Sequence, residues 1–68
     1  MDFKIECEPE DDGRWLAEVP NLPGVLAYGV SADDAMTRAE ILALRVLAGR
    51  LEQGESRPHA VSISLAAA

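Results

Sequence analysis

Residues 20–24, Pro20-Asn21-Leu22-Pro23-Gly24, hold two prolines and a glycine in five positions, and no other stretch constrains the fold as strongly. Proline fixes φ at about −65° and offers no N–H, so neither a helix nor a central strand passes through this stretch. It must be a corner, expected to be rigid and extended, and it separates two sets of strands.

Ahead of the corner the sequence alternates. Phe3, Ile5 and Cys7 point one way and Lys4, Glu6 and Glu8 the other, the period of a half-buried strand. Pro9 cannot donate to a ladder, and Glu10-Asp11-Asp12-Gly13 is turn chemistry with the Asp-Gly pair that favours a hairpin. A second run, Arg14 to Val19, puts Trp15, Ala17 and Val19 on one face and Arg14, Leu16 and Glu18 on the other. After the corner comes a third run, Val25 to Val30, broken by Gly29, with Leu26 and Tyr28 assigned to the second sheet face. The short connections predict an antiparallel meander.

Ser31-Ala32-Asp33-Asp34 opens a helix. Ser31 can cap the free N–H groups, and Asp33 and Asp34 meet the positive end of the helix dipole. The helix is predicted from Ala32 to Gln53, ending at Gly54, a length of roughly 30 Å. Arg57-Pro58 marks a loop, and a last alternating run, Ala60 to Leu65, buries Val61, Ile63 and Leu65 and exposes Ser62 and Ser64. The fold class is therefore α+β, in the order β-β-β-α-β: a three-stranded antiparallel meander plus a fourth strand, with one long helix on one sheet face. After so long a crossover the fourth strand is free to lie parallel to a strand other than its neighbour in sequence.

The helix carries two apolar sets. Ala35, Ala39, Leu42, Ala43, Val46 and Leu47 share the side expected to bury against the sheet. Ile41, Leu44, Ala48 and Leu51 follow at steps of three, four and three, with Thr37 in the same register, which is the spacing of a coiled-coil seam. A one-layer sheet covers one side of a helix only, so this seam is expected to mediate self-association. Pairing of sheet edges between subunits is the competing arrangement.

Sixty-eight residues make a single domain, 1–68, whose core supplies about 3–5 kcal/mol. Cys7 is the only cysteine, so no disulfide forms within the chain, and one Cys with one His (His59) cannot complete a zinc site. Oligomerisation is the remaining reinforcement. No apolar run reaches the ~20 residues that span a bilayer. Met1-Asp2-Phe3-Lys4 lacks a signal-peptide layout, and the free cysteine fits a reducing cytoplasm. The net charge is −6, with Glu6, Glu8, Glu10, Asp11 and Asp12 crowded at the front, and no basic stripe is present for direct nucleic-acid binding. An acidic front of this kind is either a solvated strand and turn or a surface that attracts a basic partner.

No catalytic constellation, cofactor or metal is expected. His59 stands alone beside Pro58, Cys7 is expected in the core, and the glycines form no phosphate-binding pattern. Glu6, Glu8 and Glu18 share a sheet face, but a metal-dependent phosphodiesterase needs a basic surface for its substrate, and cross-strand pairing with Lys4 and Arg14 is the simpler role.

The corner Val19-Pro20-Asn21-Leu22-Pro23-Gly24, then Tyr28-Gly29, then Ser31-Ala32-Asp33-Asp34-Ala35, resembles the HicB antitoxin family. Its members carry an acidic hairpin, a V-P-x-L-P-G corner, an x-G-x-[TS]-x-x-[ED]-A helix start and a closing strand, and the likeness runs from Phe3 to Leu65. It implies a partial ribonuclease-H-like fold without nuclease activity, and an antitoxin that binds a small basic HicA-type toxin, an mRNA-cleaving ribonuclease. It also implies dimers or tetramers. Glu10, Asp11, Asp12 and Trp15 are the residues expected to face the toxin, Trp15 being equally suited to the core. The chain departs from many members in having Asn21 in place of an acid and in ending a few residues after the last strand. With no DNA-binding segment after it, operator binding by this chain alone is not expected. An orphan oligomeric domain with a structural or regulatory role is the alternative.

Overall fold

The computed structural model describes residues 2–54 and 62–67. Four strands and one helix follow in the order β1 (Asp2–Pro9), β2 (Trp15–Glu18), β3 (Leu26–Gly29), α1 (Ala32–Glu52) and β4 (Ser62–Ala67). The sheet order is β3-β2-β1-β4. β1, β2 and β3 form an antiparallel meander, and β4 lies parallel to β1, Phe3 opposite Ile63 and Ile5 opposite Leu65. The α+β expectation holds, and the crossover helix is what permits the parallel closing strand.

The core lies between α1 and one sheet face. Phe3, Ile5 and Cys7 from β1, and Ala17 from β2, meet Ala35, Met36, Ala39 and Ala43 of the helix. Alanine at every fourth helical position lets the backbone come close to the sheet. Leu42, expected in this set, remains 36% exposed at the margin of the helix, while Met36, outside the expected set, is buried. Val46 and Leu47 are half-buried against the core.

The proline corner is not extended. It folds back through two successive turns: Leu22 N–H donates to Val19 O (2.9 Å) and Val25 N–H to Leu22 O (3.0 Å), inside a Val19 N–H to Val25 O closure of 3.0 Å. Val19, Leu22 and Val25 thereby plug the core while Pro20 and Pro23 stay exposed. Gly24 supplies the positive φ of +87° that this path requires.

Helix α1 starts as its capping residues dictate, with Asp34 N–H donating to Ser31 Oγ at 3.1 Å. It ends one residue earlier than expected, at Glu52, with Gln53 as C-cap and Gly54 at φ +72°. Within the described residues β4 runs past the predicted end at Leu65 to include Ala66 and Ala67, which pair with Glu6 and Cys7. Arg57-Pro58, His59, Ala60 and Val61 lie outside the described residues.

Candidate protein-binding surface

Helix α1 covers one face of the sheet, and among the described residues nothing covers the other. The strand registers fix what that outer face displays. Tyr28, Leu16 and Glu8 form one cross-strand row over β3, β2 and β1, and Leu26, Glu18 and Glu6 form the next. Lys4 with Ser64, then Asp2 with Ser62, complete it toward β4. The outer face is thus divided: an apolar corner of Tyr28, Leu16 and Leu26, against a carboxylate group of Glu6, Glu8 and Glu18. Leu26 and Tyr28 are 44% and 42% exposed, unusual for large side chains in a sheet.

The acidic hairpin rises from the end of this sheet where Pro9, Trp15 and Gly29 sit side by side. Glu10 N–H donates to Arg14 O (2.7 Å), and Gly13 N–H to Glu10 O (3.1 Å), with Gly13 at φ +90°. Asp12 binds Arg14 twice, accepting from its backbone N–H at 3.0 Å and its Nε at 2.7 Å. Chiefly the backbone bond, then the side-chain one, hold the Asp12 carboxyl below its ordinary range. Arg14 therefore does not pair with the strand acids as expected. It turns to the nearer Asp12 and lays its guanidinium over the Tyr28 ring, 4.3 Å from the centroid. Asp11 and Asp12 are exposed and Glu10 is half-buried. Trp15 lies on the core-facing side of β2, partly buried against the core cluster. The structure thus brings Glu10, Asp11 and Asp12 together at the tip and sets Trp15 beneath them, facing the helix rather than the outer face.

Residues 2–18 carry seven acids against two bases, and so nearly all of the chain's net −6. The excess of acids over bases is concentrated in β1, the hairpin and β2. The cleft between Glu6, Glu8, Leu16 and Glu18 has about 60 Å³, far less than the ~300 Å³ at which ligand pockets begin. Among the described residues no three His, Cys, Asp or Glu side chains stand close enough to share a metal ion. Cys7 is buried, its Sγ 3.8 Å from Ala32 O, and burial foremost, then Asp33 and Glu8, raise its thiol pKa. A thiol so placed is a poor nucleophile. A pairing of Cys7 with His59 falls outside the described residues.

The second expected site, the helix seam, is exposed. Ile41, Leu44 and Leu51 retain 44%, 51% and 45% of their surface, and Thr37, one step before them, and Ala48, between Leu44 and Leu51, are exposed too. No helix among the described residues is long and apolar enough to cross a membrane.

Comparison with known protein families, with curated proteins and with solved structures gave no significant match. The likeness to HicB antitoxins rests on the residue pattern quoted above.

Proposed function

We propose that this chain is a non-catalytic binding domain of the HicB antitoxin type, which neutralises a small basic ribonuclease of the HicA type. The observation that carries this reading is the uncovered outer sheet face, where an apolar corner adjoins a group of carboxylates. Opposite charge steers a basic partner into encounter, which raises the on-rate. Tyr28, Leu16 and Leu26 then supply the apolar area that keeps it bound. Glu10, Asp11 and Asp12 extend the acidic field at one end of the face. The β-β-β-α-β order supports the reading, because the HicB resemblance implies it. So does the concentration of charge in residues 2–18.

The test is affinity capture of the tagged chain from its native cells, followed by a ribonuclease assay on what co-purifies. The reading stands if a small basic protein elutes at near-equal ratio, cleaves mRNA alone, and is silenced when this chain is added back. A homo-oligomer with no partner replaces it with a second reading, a structural or regulatory oligomer, which the exposed helix seam favours.

A further inference from the structure

The apolar strip of α1 lies on a different side of the helix from Ala35, Met36, Ala39 and Ala43, which pack against the sheet. Thr37, Ile41, Leu44, Ala48 and Leu51 form it over four turns, at positions where a one-layer fold calls for polar residues. Arg38, Arg45 and Glu52 flank one side of the strip, and Glu40 and the half-buried Leu47 flank the other.

We propose that this strip binds a second copy of the chain, with the two helices antiparallel. The flanking residues argue for both the partner and its direction. A two-fold axis level with residue 46 sets Leu44 against Ala48 of the second copy and Ile41 against Leu51 of the second copy. The same register brings Arg38 beside Glu52 of the second copy, and symmetry repeats the pair. Leu47 meets its twin on the other flank. Arg45 is the single like-charge encounter, close to the axis.

A parallel pair offers Glu40 opposite Arg45 instead, but it carries an electrostatic penalty. The hairpin acids Glu10, Asp11 and Asp12 lie at the same end of the molecule as Asp33 and Asp34 in the first helical turn, because β3 delivers the chain from one to the other. Parallel helices bring two such ends side by side and align both helix dipoles. Antiparallel helices separate the acidic ends. The arrangement is a four-layer sheet-helix-helix-sheet body with both outer sheet faces still open, so it does not depend on what those faces bind.

Sedimentation velocity of the full chain at about 100 μM tests this, and circular dichroism confirms that each variant is folded. The wild-type chain is expected at twice its 7.3 kDa mass. Leu44→Glu and Ala48→Arg, both at exposed positions, are expected to sediment as folded single chains. Arg38→Glu is expected to weaken dimerisation by about tenfold, and Arg38→Glu with Glu52→Arg to restore it to within about threefold, since the charge pair is re-formed with reversed sign. A wild-type chain of single mass, or a dimer untouched by Leu44→Glu and Ala48→Arg, overturns the interface. A double variant no better than Arg38→Glu overturns the antiparallel arrangement.

Discussion

Gly29, at the end of β3, lies against the backbone of Ala35 in the first turn of α1. A Cβ at position 29 would stand 2.8 Å from Ala35 Cα and 2.7 Å from Asp34 Oδ2, inside any real contact distance. The obstacle is mostly backbone, so it cannot rotate away. Gly29→Ala is expected to destabilise the fold by about 1–3 kcal/mol, the usual cost of overpacking a tight site. Urea denaturation measures it. Gly49→Ala is the internal control: a Cβ there meets nothing within 4 Å. Exchanging this glycine, in the last turn of the helix, for alanine should add up to about 0.5 kcal/mol. Equal effects at the two positions would refute the close approach.

The same junction is locked by Ser31 and Asp34. Ser31 Oγ accepts from Asp34 N–H, and Asp34 in turn accepts from Val30 N–H at 3.0 Å and from Arg38 Nε at 3.1 Å. Ser31→Ala should cost about 1 kcal/mol. The Val30 bond foremost, with Arg38 beside it, holds the Asp34 carboxyl below its ordinary 3.8. A carboxyl depressed in the folded state stabilises the protein above its unfolded pKa, and that stability is lost as pH falls through the folded value. Asp34 and Asp12 share this direction. Stability should therefore decline as pH drops below about 4, and Asp34→Asn should flatten the decline while lowering stability at neutral pH. Thermal melts from pH 7 to pH 2 separate the two effects.

This junction also shows how far the sequence could be read. Ser31 as cap and Asp33 and Asp34 in the first turn follow from local chemistry, and they appear where expected. Gly29 read only as an interruption, because its reason is a tertiary contact with Ala35. Period-two alternation assigned the faces of β1 and β2 correctly, since one face of each is buried. The helix margin was less legible. The wheel gives angles but not the width of the sheet, so it could not show that Leu42 overhangs the edge strand β3 while Met36 reaches the core. The proline corner had the right location and the wrong shape. Prolines forbid regular structure there, but it is Leu22, buried between them, that draws the chain into turns. At the candidate surface, alternation put Leu16, Leu26 and Tyr28 on one face. Only the register places them as a single corner beside Glu6, Glu8 and Glu18. Arg14 escaped reading because Asp12, two residues away, competes successfully with the strand acids.

Cys7 offers a probe of the core. Burial pushes its thiol pKa up, and Asp33 and Glu8 add to the effect. Both the low thiolate fraction and the lack of access slow alkylation. Iodoacetamide at pH 8 should modify the folded chain at least about a hundredfold more slowly than the urea-unfolded chain, because reaction then waits on opening of the core. Gly29→Ala should accelerate the folded-state reaction in proportion to its loss of stability. Rapid labelling of the folded wild-type chain would show that β1 is not buried as described.

Glu6 and Glu18 face each other across β1 and β2, and among the described residues no base pairs with either. Directly opposed like charges weaken a sheet, and replacing one of them with a cation creates a favourable pair. Glu18→Lys should therefore stabilise the isolated domain by about 0.5–1 kcal/mol, taking the relief of repulsion and the new attraction together. If the outer face serves a basic partner, the same substitution should slow association and weaken binding, most visibly at low salt, where surface charges are least screened. The two measurements are independent: chemical denaturation of the domain alone, and binding kinetics with the captured partner across a salt series. A gain in stability together with a loss of on-rate is the pattern of a binding surface, where charge is retained at the expense of the fold. A gain in stability with unchanged kinetics would move the binding site away from this face.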